Sequence, residues 1–168
     1  SVHVPLILAG PGIPSGICET PVSLLDLSVT IAEHFGTEID GPTVGRSLID
    51  IMDAPTEPDR EIFSEYHAAG AVSGAFMLIR GRWKYIYYVG FEPELFDLFA
   101  DPEETRDLAQ DPAHAAIRAE MHARLCAICD PVATDAQAHA DQDALIERFG
   151  GPEKAKLMGA PGAPPAPS

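Results

Sequence analysis

Four groups able to do acid, base or binding chemistry stand side by side at Ser64-Glu65-Tyr66-His67: a hydroxyl, a carboxylate, a phenol and an imidazole. They close the short run Glu61-Ile-Phe-Ser-Glu-Tyr66, and the glycine-rich stretch AAGAVSGA follows directly. A strand end that feeds such a loop is a common place for binding. A histidine beside a glutamate is equally ordinary as a solvated surface pair. For Glu65 and His67 the spacing leaves both readings open.

The other chemically suggestive stretches read more plainly. ELFDLFADPEETRDLAQD, residues 94–111, is dense in carboxylates, yet residues 97–108 have neither the ligand spacing nor the central glycine of a calcium loop. Asp101-Pro-Glu-Glu-Thr-Arg-Asp instead predicts a turn opened by Asp and Pro, with the next carboxylates near the first turn of a helix. Cys126 and Cys129 form C-x-x-C, but they end a helical pattern, where the helix dipole opposes a thiolate, and no second pair completes a zinc site. They read as small apolar residues. Arg80, Arg82 and Lys84 alternate; taken as one strand they share a face, where ion pairing with the abundant carboxylates is expected. The chain has no G-x-S-x-G elbow, P-loop or dinucleotide fingerprint,.

The elements that must position these groups are legible from pattern. Val4-Pro-Leu-Ile-Leu-Ala9 is a continuous apolar run closed by Gly10-Pro11-Gly12, which predicts a strand buried on both faces. SLLDLSVTIAEHFG, residues 23–36, predicts an amphipathic helix. Ser23 and Asp26 form a capping box, Leu24, Leu27, Ile31 and Phe35 make its apolar stripe, and Gly36 supplies the exit,. Residues 37–60 predict loop around one short helical segment at 47–52. Four runs rich in aromatic and β-branched residues, 61–66, 75–79, 83–88 and 94–98, predict a small antiparallel sheet with a hairpin at Arg80-Gly81-Arg82,. Asp111 and Pro112 open a helix whose stripe is Ile117, Met121, Leu125 and Ile128,. A second helix is predicted from about Asp135 to Phe149. GAPGAPPAPS after Met158 has no apolar face to bury,.

At 168 residues with 46% apolar content, the chain is long enough for one domain with a core,. Its formal charge of −15 repels polyanions and excludes nucleic acid and anionic membrane surfaces as expected partners,. No apolar run approaches a membrane span. Three cysteines do not make a closed set of pairs, which favours a reducing, cytoplasmic setting. The chain begins SVHVPLILAG without a methionine, as though it were cut from something longer.

Taken in order, VPLILAGPGIPSG, VSLLDLSVTIAEHFG, VGRSL, FSEYH, RGRWKYIYY and ELFDLFADPEETRDLA resemble the C-terminal third of the sulfatase family, in the alkaline-phosphatase-like superfamily. They look most like its bacterial choline-sulfatase and phosphonate-monoester-hydrolase relatives. The resemblance covers residues 2 to about 130, and LFDLFADPEETRDLA is its most specific piece. It implies an α/β fold class: the end of an alkaline-phosphatase-like sheet layer at residues 1–60, a small four-stranded antiparallel sheet packed by a helix at 61–130, and a helical, Pro-rich tail at 131–168. It also implies a parent enzyme that hydrolyses a small-molecule sulfate or phosphonate ester with a formylglycine, made in a C/S-x-P-S/A-R motif, beside a divalent metal, Ca or Mn. The motif is absent here, since Pro14-Ser15-Gly16 lacks the flanking Cys or Ser and the Arg, and the Asp-His-Gly metal segment would lie upstream of Ser1. The chain is therefore expected to border the substrate pocket without nucleophile, metal ligands or cofactor of its own, and to be inactive alone. By the same resemblance, Glu65 suits a cationic group such as choline, His67 suits hydrogen bonding to substrate, and residues 150–168 are an expected oligomer arm. Two alternatives stand beside this: a phosphonate or phosphodiester hydrolase of the same superfamily, and a non-catalytic interaction module.

Overall fold

The computed structural model describes residues 4–67 and 71–154. The elements are α1 (Leu24–His34), α2 (Leu48–Asp53), β1 (Ile62–Tyr66), β2 (Ala75–Arg80), β3 (Trp83–Tyr88), β4 (Glu94–Asp97), a 3-10 turn (Pro112–His114), α3 (Ala115–Ile128) and α4 (Pro131–Arg148). The described residues fall into two compact units, 4–62 with 79–83, and 63–67 and 71–78 with 84–154. Among the described residues no helix is long and apolar enough to cross a membrane. The expected oligomer arm lies outside the described residues from position 155 onward.

In the first unit, α1 starts at Ser23, whose N–H donates to Asp26 Oδ2 at 2.7 Å, the carboxylate half of the predicted capping box. Asp26 then does much more. It is fully buried and takes Arg60 in a two-pronged ion pair, Nη1 to Oδ2 at 2.8 Å and Nη2 to Oδ1 at 2.7 Å. It also accepts the Arg46 N–H at 2.8 Å. One turn on, buried Thr30 donates to the Asp26 carbonyl at 2.6 Å and accepts from Leu48 N at 2.8 Å, which fixes the start of α2. Gly45 makes this close approach possible: a Cβ there would sit 2.4 Å from the Leu25 carbonyl oxygen,.

Two expectations fail in this unit. Residues 4–9 belong to no sheet, and Val4, Leu6 and Ile7 are exposed. A strand buried on both faces needs neighbours on both sides, and the described residues supply none. The predicted apolar stripe of α1 is not the buried face either. Leu24, Ile31 and Phe35 are exposed and Leu27 is half-buried, whereas Asp26 and Thr30 are the residues the helix buries.

Four strands make one antiparallel sheet in the order β1-β2-β3-β4, and most of it falls in the second unit. Sequential neighbours joined by short turns are the topology expected of hairpin-connected strands. The β2–β3 turn is two residues, with Gly81 in the left-handed region at φ 56°, as a tight hairpin requires. The core of the second unit is Phe76, Leu78, Tyr85, Leu95, Met121 and Leu125. α3 meets β3 through His122, whose Nδ1 lies 3.1 Å from the Tyr85 hydroxyl. Of the predicted α3 stripe, Met121 and Leu125 are fully buried, while Ile128 at the C-terminal end is exposed.

The hairpin corrects the reading of Arg80, Arg82 and Lys84 as one face of one strand. A two-residue turn sets Arg80 across from Trp83, so Lys84 takes the opposite face. Their partners differ accordingly. Arg80 approaches Asp59 at 3.7 Å and Glu61 at 3.8 Å, Lys84 pairs with Glu104, and the Arg82 guanidinium lies 5.5 Å from the Trp83 ring centre. Ion pairing holds for Arg80 and Lys84, as expected.

α4 begins at Pro131, four residues before its predicted start. Asp130 accepts from Val132 N and Ala133 N, both at 3.1 Å, and Pro131 takes the first helical position. This is the same Asp-Pro signal that opens the preceding helix, where Asp111 accepts from Ala113 N at 2.9 Å,.

Candidate functional site

Glu65 lies near the end of the edge strand β1 and His67 one residue beyond it, and both side chains border the same cleft. Their closest approach, His67 Nε2 to Glu65 Oε2, is 3.9 Å, beyond hydrogen-bond range. The imidazole is held in place by its surroundings. Its ring stands edge-on to Phe76, with centres 5.3 Å apart, and its backbone carbonyl accepts from Gln142 Nε2 at 3.1 Å. Nε2 itself is buried and has no hydrogen-bond partner among the described residues,.

The wall facing the pair is one face of α4. Glu65, His67, Thr134, Gln137 and Asp141 border an open cleft of about 430 Å³, with Ala133 and Ala138 between them. Gln137 Nε2 donates to Asp141 Oδ1 at 2.7 Å. Asp135, on the adjoining helical face, accepts the Gly74 N–H and so ties α4 to the loop before β2. A Cβ at Gly74 would lie 2.8 Å from His67 Cε1, 2.9 Å from Phe76 Cε2 and 3.0 Å from Asp135 Oδ1, so glycine is required for this packing. The structure thus brings Glu65 and His67 together and adds Thr134, Gln137 and Asp141, which sequence reading missed. Their signal was the Asp130-Pro131 helix start followed by polar residues at i, i+3 and i+7,.

The other candidates settle as structural. Cys129 caps the end of α3, where burial, then Glu65, Cys126 and Asp130, push its thiol above the usual range. A thiol held in its neutral form is a poor nucleophile and metal ligand. In the acidic tract, Asp107 Oδ1 accepts from Leu95 N at 3.0 Å and Ala109 N at 2.9 Å. Asp101 accepts from Arg106 N at 2.8 Å, and Asp97 Oδ1 from Phe99 N at 3.1 Å. These carboxylates organise a loop. The helical turn expected just after Asp101 is absent, because Asp101 closes on Arg106 and Glu104 turns to a positive φ of 54°, and helix begins at Pro112.

The donor set does not fit a formylglycine or a metal. The sequence has no C/S-x-P-S/A-R, and among the described residues no three of His, Cys, Asp or Glu stand together as a metal ion requires.

Comparison with known proteins accounts for the architecture. The family model described as N-sulphoglucosamine sulphohydrolase, C-terminal, matches residues 1–130. A choline-sulfatase of Rhizobium meliloti (strain 1021) is 36% identical over 115 residues, 67% of this chain and 22% of that protein. Arylsulfatase K of Danio rerio is 37% identical over 118 residues, 65% of this chain and 23% of that protein. A solved 2-O GAG sulfatase superposes with a TM-score of 0.53 at 29% identity, over 61% of this chain and 23% of that one. The chain therefore spans less than a quarter of the length of these relatives. With its antiparallel sheet, its packing helix and its ordered acidic tract all within the matched residues, the chain belongs to the sulfatase family and corresponds to its C-terminal part.

Proposed function

We propose that this chain forms one border of the substrate pocket of a sulfuric ester hydrolase, the nucleophile and metal being held by the part of the enzyme it lacks. The observation that carries this is the composition of the cleft. It is lined by Glu65, His67 and Asp141, with no Lys or Arg among its lining residues. Such a surface repels a sulfate group and attracts a cationic or hydroxyl-bearing one. It suits the leaving group of a small sulfate ester. Within it, Glu65 is the acceptor for a cationic group of the substrate and His67 supplies a hydrogen bond.

What the family's formylglycine and metal supply is attack on sulfur and stabilisation of the transferring group. The residues of this chain bind and orient. Interactions made equally in the ground and transition states change KM rather than kcat. In a polypeptide that adds the upstream reading frame, Glu65→Gln is expected to raise KM about fivefold for a quaternary-ammonium sulfate ester, the equivalent of about 1 kcal/mol for a part-exposed ion pair. With a neutral aryl sulfate, KM stays unchanged, and kcat is unmoved for both. Equal effects on the two substrates would remove Glu65 from the pocket.

A further inference from the structure

A cluster of reactive side chains in the second unit takes no part in the cleft. His122 and Cys126 stand one turn apart on α3, the i, i+4 spacing that sets two side chains over each other on a helix,. His122 Nε2 is 3.6 Å from Cys126 Sγ, within hydrogen-bond reach of sulfur. The other ring nitrogen is engaged as well, since Nδ1 lies 3.1 Å from the Tyr85 hydroxyl, and the Tyr87 ring packs on the imidazole with centres 5.1 Å apart. Tyr85 is only 2% exposed, so the imidazole is held from behind by a fixed group. Cys126 on its other side is exposed, which departs from the reading of that thiol as a small apolar residue. The order is buried hydroxyl, imidazole, thiol, solvent.

An imidazole beside a thiol takes its proton and pairs with the thiolate, the nucleophilic form. Both N–H groups of the imidazolium then have an acceptor, sulfur at Nε2 and the Tyr85 oxygen at Nδ1. A phenol hydroxyl serves as donor or acceptor, and Tyr85 keeps its proton, with a pKa pushed up to about 12 chiefly by burial. It therefore supports the ring before and after the transfer. The C-terminal end of α3 opposes a thiolate, but with only about half a charge. A whole imidazolium charge in contact with the sulfur outweighs it. Cys129 is the contrast, a half-buried thiol that burial holds in its neutral form.

We infer that Cys126 is a peroxide-reactive thiol, with His122 as its acid–base partner and Tyr85 as the residue that positions the imidazole. The substrate is a hydroperoxide. The thiolate sulfur attacks its terminal oxygen and the O–O bond breaks, so that sulfur is oxidised to a sulfenic acid and the hydroperoxide is reduced. The leaving oxygen takes the proton held at Nε2 and departs as water or an alcohol, which returns the imidazole to its neutral form. None of these three residues lines the cleft, and the reaction is independent of sulfate ester hydrolysis.

The test follows, peptide by peptide, the rate at which hydrogen peroxide consumes each thiol of the 168-residue chain at pH 7. Cys129→Ser is the background, so that no neighbouring thiol competes for the sulfenic acid, and exposed Cys18 is the reference within the same molecule. Cys126 is expected to react about tenfold faster than Cys18, with the sulfenic acid trapped at Cys126 by dimedone. In urea the two rates converge, because the helix that holds the pair is gone. His122→Gln, with its circular dichroism unchanged, brings Cys126 to within about twofold of Cys18. Tyr85→Phe keeps the buried ring, slows Cys126 and shifts the His122 Nδ1 resonance in nitrogen NMR, a signal that a merely structural Tyr85 would not move. Equal rates at Cys126 and Cys18 in the folded chain overturn the inference. So does an advantage for Cys126 that persists in urea or in a folded His122→Gln variant, since it would then belong to local sequence and not to the pair.

Discussion

Asp26 shows how one residue serves two levels of structure. Burial works against its ionised form, but the Arg60 guanidinium and the N–H groups of Arg46 and Ser23 outweigh that and hold the carboxyl below its usual range. Arg60 is raised in return, chiefly by its hydrogen bonds to Asp26. A depressed carboxylate contributes stability above its unfolded pKa and loses it as pH falls through the folded value. Stability is therefore expected to fall with acidification below about pH 4, and urea midpoints across pH 2–7 would read this directly. Asp26→Ala strands the Arg60 charge and should cost about 3–5 kcal/mol, while flattening the acid limb. The sequence made Asp26 legible as a capping residue, since the S-x-x-D spacing is local. Its partner Arg60 lies 34 positions away, and local pattern has no access to that separation. Glu65 and His67 stand two positions apart in the sequence, so local pattern can group them. Thr134, Gln137 and Asp141 escape local pattern, because a helix about 70 residues on supplies them and only the fold sets them opposite β1.

At the scale of elements, the acidic tract is the clearest case of carboxylates used as backbone acceptors. Asp107 links β4 to the loop at residues 107–109: its Oδ1 accepts from both Leu95 N and Ala109 N, while Leu108 N donates to the Leu95 carbonyl at 2.8 Å. Leu95, Leu108 and Ala109 are all buried there. Asp107→Ala leaves two N–H groups without their acceptor, an expected loss of about 1–3 kcal/mol. Asp107→Asn keeps an acceptor oxygen and should recover most of it. Denaturant unfolding of the two variants separates a hydrogen-bonding role from a purely charged one, which asparagine would fail to restore. The four strands and α3 were legible because hydrophobic period, turn glycines and Asp-Pro caps agree within each segment. Residues 4–9 and the stripe of α1 were misjudged for one physical reason. Pattern shows that a face is apolar, and it does not show whether the chain at hand supplies the surface that covers it.

For the molecule as a whole, the charge of −15 and a cleft with no basic side chain among its lining residues have the same sign and repel anions,. The family match at residues 1–130 fixes which part of a sulfatase the chain resembles, and α4, which closes the cleft, begins just after it at Pro131. The central claim is that this part shapes a pocket and holds no reaction of its own. Its most direct test is hydrolysis of 4-nitrophenyl sulfate by the 168-residue chain and by the polypeptide extended through the upstream frame, both assayed with added divalent metal. The account predicts turnover by the longer polypeptide and none above the uncatalysed rate by the chain alone. Turnover by the isolated chain, or its absence from the longer polypeptide, would contradict it.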